Sequence, residues 1–459
     1  MSLLSYLQNG YTAHPWVAWL VALYLLTPAL AYGILPRVFP GNSHQKRHVI
    51  VCVLGDLGHS PRMCYHARSL AARGYHVDLL GYVEEQPPLD IIDSEMIDIH
   101  EISVVKNTRN LPYLVFGALK VGLQTVGLFR MLLGLGHAQA IVLQNPPSLP
   151  LLLVVIVYKY LVRWGDFQIV VDWHNLNYTI LNLKYQNVAH PVVRLMKGYE
   201  RVCARYADVH LTVTRSLKKF LVDEFAVEAD KILVVYDRPA EQFTPLEESG
   251  SNFQMLTKRF PQEFSGVLFE REPRIIVTST SFTPDEDLGV LLTALERMDR
   301  KALPFTSQLP PLLVLVTGKG PLKAQFLAEI ARLAFPEQKI QFKCLWLLAH
   351  EYPILISHAH VGVSLHTSSL GIDLPMKVLD FFGCGVPVVA LDFQAVGELV
   401  HEGVNGLVVD DPSGLCKSLK ACSGAGSVYA VIKRGAMAES KRRWDENWNK
   451  SLGGVFPGI

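Results

Sequence analysis

From His48 to Leu54 the chain is apolar at consecutive rather than alternate positions, reading Val49-Ile50-Val51-Cys52-Val53-Leu54 after the histidine. A half-exposed antiparallel strand would alternate, so this run suits a parallel strand covered on both faces. It leads into Gly55-Asp56-Leu57-Gly58-His59-Ser60-Pro61 and a helix expected from about Arg62 to Arg73, with Ser60 as N-cap and Pro61 at N1. Gly74 ends that helix, and His76 to Gly81 reads as the next strand. A β-α-β unit of this kind is the building block of a doubly wound sheet.

The alternation continues. Ala140–Gln144, Gln168–Trp173 and Val209–Thr214 are further strand-like runs with helical stretches between them, giving a first α/β domain over about 48–240. Residues 241–273 lose the rhythm and gain charge, and are expected to be a linker or surface insertion. The pattern restarts with Arg274–Thr278, a helix from Leu288 to Met298, Leu312–Thr317, a helix after Pro321, Ala359–Leu365, a helix ending near Phe382 and Pro387–Leu391. A second α/β domain is expected over 274–435, followed by a C-terminal helix in 436–459 whose Trp444 and Trp448 pack one face. Two doubly wound domains predict a ligand in a cleft at the carboxyl ends of their strands.

Charge narrows the partners. Lys+Arg 43 against Asp+Glu 42 leaves a net charge of +1, which offers no chain-wide attraction for nucleic acid. The seven cysteines are scattered, with no C-x-x-C pair and no His at ligand spacing, which points to a reducing compartment and no structural zinc.

No charged residue precedes Arg37, and Trp16–Pro36 is apolar over about the length of one bilayer crossing. The expectation is an N-terminal membrane anchor over 1–40. Ala29-Leu30-Ala31 resembles a signal-peptide cleavage site, but the segment lacks a basic n-region, and export would carry seven unpaired cysteines into an oxidising lumen. Arg37, Lys46 and Arg47 follow the span, so the positive-inside rule keeps the bulk of the chain cytosolic. Two more stretches, Leu111–Gly136 and Leu151–Val162, are greasier than a soluble fold needs and are either buried helices or a membrane-facing surface.

Candidate site residues sit in loops after the strands. In Gly55–Arg62, Gly58 and Ser60 precede a helix N-terminus that favours an anion, and Arg62 would add a fork of donors for a phosphate. Asp172-Trp173-His174-Asn175 emerges as a polar cluster from a buried strand, either a site or a capping turn. Gln144-Asn145-Pro146-Pro147 ends another strand and is as readily structural as functional. In the second domain Thr317-Gly318-Lys319-Gly320-Pro321 lacks the Walker G-K-[ST], yet would set backbone donors and a lysine beside a diphosphate. Asp373, Lys377 and Asp380 suit a sugar nucleotide: carboxylates for hydroxyls, a lysine for phosphate. Without their surroundings, Lys377 and Asp380 would be an ordinary i,i+3 ion pair.

As a set these residues resemble the GT-B glycosyltransferases, whose two Rossmann-like domains clasp a nucleotide sugar. The Gly383-Cys384-Gly385-Val386-Pro387-Val388-Val389 turn, Gly397-Glu398-Leu399-Val400 and Asn405-Gly406-Leu407-Val408-Val409 fit that pattern, although its paired acids are commonly glutamates eight apart and here are aspartates seven apart. More closely, the strings GDLGHSPRMCYHARSLA, LQNPPSLP, VDWHN, VYDRPA, TSTSFTPDEDLGVLL, TGKGPL, HTSSLGIDLPMKVLDFFGCGVPV and RWDENW are similar to the chitobiosyldiphosphodolichol β-mannosyltransferase family.

The resemblance implies inverting transfer of the first mannose from GDP-mannose to N,N′-diacetylchitobiosyl-diphosphodolichol on the cytosolic face of the endoplasmic reticulum membrane. The partners implied are the lipid-linked acceptor, that membrane and other dolichol-pathway mannosyltransferases. Inversion needs a base, with Asp56 the first candidate and His174 the second. Gly58, Ser60, Arg62 and Asn175 are assigned to the acceptor; Gly318, Lys319, Gly320, Asp373, Lys377 and Asp380 to the donor. No tightly bound cofactor and no protein-held metal are expected, with Mg²⁺ stimulating from solution. The alternatives are another membrane-bound glycosyltransferase acting on a polyprenyl-diphosphate sugar, a nucleotide-sugar epimerase, and a non-catalytic recruiting subunit.

Overall fold

The computed structural model describes residues 15–28, 47–108, 110–247, 250–284, 286–300, 309–366, 370–424 and 426–458. It divides into two units: Met1–Leu211 with Val222–Leu233 and Gly453–Ile459, and Thr212–Leu221 with Val234–Leu452.

Unit 1 is built on β1 (His48–Asp56), β2 (His76–Tyr82), β3 (Ile97–Glu101), β4 (Ala140–Asn145), β5 (Gln168–Trp173), β6 (Val209–Thr212) and β7 (Ile232–Val234). The order is β3-β2-β1-β4-β5-β6-β7, with β1 parallel to β2 and β4, and β4 parallel to β5. Every residue from Val49 to Val53 is at most 1% exposed, so both faces of β1 are covered, as its unbroken apolar run predicts. The order reverses between β1 and β4, so loops after these strands flank a topological switch point.

The helix after β1 runs Pro61–Ala72 with Pro61 at its start, but Ser60 does not cap it through its side chain. The amides of Met63 and Cys64 bond instead to the Ser60 main-chain carbonyl. Residues 453–458 also belong to unit 1: the Phe456 ring meets Tyr75 edge-on at 5.9 Å, and Arg73 donates to the Phe456 carbonyl.

Unit 2 carries β8 (Arg274–Ser279), β9 (Leu312–Thr317), β10 (Ile340–Leu345), β11 (Val361–Ser364), β12 (Val388–Leu391) and β13 (Gly406–Val409), ordered β10-β9-β8-β11-β12-β13. Neighbouring strands pair in parallel throughout. Alternate residues feed two cores: Ile275, Val277, Leu313 and Leu315 enter one, and Ile276, Leu312, Val314 and Val316 the other. This is the layered α/β architecture that period-2 side-chain geometry dictates when both faces are covered.

Residues 241–273 are not a linker. They hold the helix Asn252–Arg259, and Phe243, Leu256, Phe260, Phe264 and Val267 are buried in unit 2's core. Charged residues on the outer face of this segment hide a helical i,i+4 series at 256, 260 and 264. The region 436–459 likewise splits: Trp444–Leu452 is a helix of unit 2 with Trp444 and Trp448 buried, and residues 453–458 belong to unit 1.

The expected anchor lies partly outside the described residues, including Ala29–Ala31 and Arg37. What is described is the helix Pro15–Pro28, with Trp16, Trp19, Leu23 and Tyr24 exposed.

Candidate active site

In unit 1 the loops after β1, β4 and β5 carry the polar groups. Asp172, at the end of β5, is fully buried and is held by three side chains. Arg62 donates to it through Nε (2.8 Å) and Nη2 (2.9 Å), and the Nε2 atoms of His66 and His174 each lie 3.1 Å from Oδ2. The cluster forms because Arg62 and His66 are one helical turn apart on Pro61–Ala72 and both face the β5 end. Burial pushes the Asp172 carboxyl up, but the Arg62 guanidinium and His174 outweigh it and hold it well below the ordinary range. Burial drives the His66 imidazole down, so it stays neutral despite Asp172.

This corrects the expectation for Arg62. Its fork is bidentate on Asp172 and the residue is only 3% exposed, so it is not presented to an acceptor phosphate. His174 is better placed than expected. Its Nε2 faces the buried carboxylate, its side chain is 27% exposed, and Nδ1 has no bond among the described residues. With Nε2–H directed at Asp172, Nδ1 is the open lone pair.

Asp56 is differently engaged. Its Oδ1 accepts the main-chain N–H of Glu84 (2.9 Å) and Glu85 (3.2 Å), and His59 Nδ1 lies 2.7 Å from Oδ2. Burial raises its pKa, but the Glu85 amide, His59 and the Glu84 amide together hold it below the ordinary value. An ionised carboxylate with three donors organises the loop and is a weak proton acceptor. Gly58 is needed there because a Cβ would stand 2.9 Å from that of Glu85. Asn175 turns inward: its Oδ1 accepts from the Leu176 amide and the Thr179 hydroxyl at the start of the helix Asn177–Tyr185. The same turn depends on Glu200, which accepts from the Asn177 and Tyr178 amides and from Asn145. The Asn145 loop is thereby structural.

In unit 2 the loops after β8 and β9 press together. A Cβ on Gly318 (φ +142°) or on Gly320 would stand 1.8 Å from the carbonyl oxygen of Thr280 or Ser281. Only glycine lets these backbones meet. Gly318→Ala is therefore expected to part the two loops and lower the melting temperature, read by calorimetry, while the strands keep their far-UV spectrum. Lys319 rests over the Trp346 ring with Nζ 4.2 Å from its centroid, a cation–π seat beside the same loop.

The helix Met376–Gly383 begins at Pro375 with no side-chain cap, and Lys377 lies in its first turn. A cation next to uncapped helix N–H groups suits an anion. Lys377 is ion-paired with Glu286, which the sequence reading did not single out. Glu286 is buried, accepts from the Thr280 hydroxyl (2.6 Å) and the Ser281 amide (2.8 Å), and so joins the β8 loop to Lys377. Asp373 is in the loop before the helix and Asp380 on it, as expected; Thr367–Ser369 of the same motif and Asp285 lie outside the described residues.

Burial pushes the Asp380 carboxyl up to about 8, against the pull of Tyr352 and Lys377. A carboxyl that accepts hydroxyl hydrogen bonds does so better ionised, so if Asp380 is the group that meets a ligand's hydroxyls, binding near neutral pH releases a proton from it. Calorimetry in buffers of different ionisation enthalpy measures that release, and Asp380→Asn should remove it. The free protein should also lose stability as pH rises from about 4 to about 8, because the unfolded aspartate gives up its proton near 4 while the folded one keeps it.

Cavities of about 700 and 330 Å³ in unit 2, beside His350 and beside Leu309 respectively, contain none of these residues. The candidate chemistry lies in the strand-end loops. Among the described residues, Asp56, His59 and Glu85 are close enough to share a cation, but His59 and Glu85 are exposed and nothing else converges there.

The family model for group 1 glycosyl transferases matches residues 272–423, which contain all the unit 2 site residues. The solved structures resembling the chain include a glycosyltransferase from Rickettsia africae (TM-score 0.61, 13% identity, 90% of this chain and 98% of that one) and a sucrose-phosphate synthase from Thermosynechococcus elongatus (TM-score 0.64, 14% identity, again 90% and 98%). At that identity they speak for the two-sheet GT-B-like fold. The sequence relatives are much nearer. The chitobiosyldiphosphodolichol beta-mannosyltransferase of Debaryomyces hansenii is 47% identical over 96% of this chain and 95% of its own length. That of Homo sapiens is 36% identical over 94% and 97%. Likeness at that level runs through both units and their strand-end loops, and the chain belongs to the chitobiosyldiphosphodolichol beta-mannosyltransferase family.

Proposed function

We propose that this chain transfers a mannosyl group from GDP-mannose, in β linkage and with inversion, to chitobiosyl-diphosphodolichol at the cytosolic face of the endoplasmic reticulum membrane. The observation that carries the reading is the end-to-end likeness to relatives named for this acceptor and linkage. Unit 2 is assigned the donor and unit 1 the acceptor. An acceptor hydroxyl attacks the anomeric carbon from the side opposite the diphosphate; the new C–O bond forms as the bond to GDP breaks. The hydroxyl proton passes to a base, which we assign to His174 Nδ1, with Asp172 holding the ring. Asp56 orders the neighbouring loop.

Negative charge growing on the departing diphosphate is met by Lys377, Lys319 and the uncapped amides of the Met376–Gly383 helix, the type of preorganised stabilisation that lowers such barriers most. Asp380 and Asp373 would accept donor hydroxyls. Mg²⁺ would act from solution on the GDP product. The apolar Trp16–Pro36 segment is assigned as a single-pass anchor, holding both units on the cytosolic side near other mannosyltransferases of lipid-linked oligosaccharide assembly.

The test is the full-length protein in detergent with labelled GDP-mannose, a synthetic chitobiosyl-diphosphate lipid, and UDP-glucose and UDP-GlcNAc as competing donors. A β-mannosyl product formed from GDP-mannose alone is expected. Turnover without the lipid acceptor would favour an epimerase, and failure to bind any nucleotide sugar would overturn the donor site.

A further inference from the structure

The amino-terminal ends of β1, β2 and β3 carry a second group of polar side chains in unit 1, at the edge of the sheet away from the loops described above. His48 is the register partner of His76, and Asp78 that of Asp98, on neighbouring parallel strands. Residues two apart on a strand share a face, so His48, His76, Asp78, Asp98 and His100 all lie on one face of the sheet. The run of β1 from His48 to Asp56 separates this edge from the strand-end loops by about 26 Å.

Asp78 is the fixed member of the group. It is buried, and the Nε2 atoms of His48 (2.6 Å) and His100 (2.8 Å) stand against its two oxygens. Each carboxylate oxygen has a second lone pair, so these two contacts leave acceptor positions open. His76 and Asp98 form the outer part: Nε2 of His76 lies 3.0 Å from Oδ2 of Asp98, and their side chains are 19% and 61% exposed. One ligand atom from each of His76, Asp78 and Asp98 lies within 4.8 Å of the other two. Ion pairing with histidines accounts for part of this arrangement but not for its centre. Asp78 and Asp98 face each other directly across β2 and β3, and like charges on opposed residues of neighbouring strands repel. β3 is also the edge strand of the sheet and only five residues long, so it is held from one flank. A dication between the two carboxylates turns the repulsion into a link. Bonds of about 2.0–2.2 Å to a tetrahedral ion set ligand atoms roughly 3.3 Å apart, and the exposed Asp98 and half-buried His76 can close that gap while Asp78 stays in place. One imidazole with two carboxylates suits Zn²⁺, whereas Mg²⁺ prefers oxygen and keeps its water. His48 and His100 act on Asp78 as outer partners that orient a metal-binding carboxylate.

We propose that His76, Asp78 and Asp98 form a zinc site at the amino-terminal edge of unit 1, with water in the fourth position, which clamps the edge strand β3 to β2. The pairs His76-x-Asp78 and Asp98-x-His100 are too short to signal a metal in the sequence and become a site only when the two strands pair. The site is remote from the proposed transfer chemistry and does not depend on it.

The test uses the full-length protein in detergent, with any affinity tag removed and metal stripped by a chelator. Calorimetry with Zn²⁺ is expected to show one ion per chain, undisturbed by excess Mg²⁺, and Co²⁺ in its place should give the visible absorption of a four-coordinate site. His76→Ala should abolish binding. Asp98→Asn, at an exposed position that does not threaten folding, should weaken it by more than about tenfold, and His100→Gln, which removes only a partner of Asp78, by about 10–100-fold. Zn²⁺ should raise the melting temperature of the unmodified chain but not that of His76→Ala. His59→Ala, in the other group of convergent ligands, should bind Zn²⁺ as the unmodified protein does. Absence of Zn²⁺ binding by the unmodified chain would overturn the proposal. So would binding that survives both His76→Ala and Asp98→Asn, which would mark adventitious contacts at other histidines, or binding lost in His59→Ala alone, which would place the ion at Asp56. Displacement of Zn²⁺ by equimolar Mg²⁺ would overturn the assignment to zinc.

Discussion

Lys377→Ala is expected to lower kcat/KM for the nucleotide-sugar donor by about 10²–10³, the usual loss when one preorganised group facing developing charge is removed. The alternative is that Lys377 merely neutralises Glu286, a buried carboxylate whose other oxygen already accepts from Thr280 and Ser281. The two roles separate experimentally. If Lys377 is only a counter-ion, Lys377→Ala leaves Glu286 unpaired and destabilises the protein by about 3–5 kcal/mol, and pairing it with Glu286→Gln restores both stability and activity. If Lys377 holds the diphosphate, the double variant regains its melting temperature but not its affinity for GDP. Lys377→Arg should retain part of the activity, since the charge remains but the point-like ammonium is replaced by a broader fork. Normal GDP affinity in Lys377→Ala would remove Lys377 from the donor site.

The partnership of Glu286 with Lys377 also marks where sequence reading stops. The continuous apolar strands and the glycines at their ends are local signals, so the two parallel sheets and the place of the Gly318–Gly320 turn could be read directly, but its crowding against the carbonyls of Thr280 and Ser281 could not. Glu286 and Lys377 are 91 positions apart, and no spacing rule joins them. The one available clue was that Glu286 follows β8 in a strand-end loop, the same situation that drew attention to Lys319. Arg62 failed for a related reason. A cation beside a glycine-rich loop suggests phosphate, but helix phase turns it toward a carboxylate 110 residues later. The 241–273 segment misled because its core residues recur at helical spacing between exposed charges, where a strand-based rhythm does not look. The greasy stretch at 111–136 was ambiguous because composition gives apolarity without orientation, and only packing separates the buried Leu128 and Leu132 from the exposed Leu119 and Leu123.

Asp172 should prove the most consequential single residue of unit 1, because one carboxylate serves both stability and chemistry. Asp172→Ala leaves the Arg62 guanidinium buried without its counter-ion, which should cost about 3–5 kcal/mol and lower the melting temperature sharply. Asp172→Asn is the informative variant: it keeps the shape and one acceptor oxygen for Arg62, so it should lose less stability than Asp172→Ala, but it loses the charge that favours Nε2–H on His174. It should fold, with turnover falling by about 10²–10⁴, the range for a positioned acid–base group. A structural role alone would lower stability and leave the turnover of the folded protein intact. If Asp172 orients His174, kcat of the folded Asp172→Asn protein falls while KM for the acceptor holds. His174→Ala should remove most of the activity without a comparable fall in melting temperature, whereas Asp56→Asn should mainly raise KM for the acceptor. The same cluster sets acid stability. Asp172 is held ionised, so its contribution is present above the ordinary aspartate range and disappears as pH falls toward its low folded value; His66 is held neutral, so the unfolded chain gains a proton that the folded one refuses below about 6.5. Both act in one direction, so this cluster's own contribution to stability is lost as pH falls below about 6.5 and faster below about 4, opposite in sign to that of Asp380 between about 4 and about 8, and the Asp172→Asn and Asp380→Asn variants separate the two. Loss of turnover in Asp56→Asn with an unchanged acceptor KM, beside a fully active His174→Ala, would return the base to Asp56.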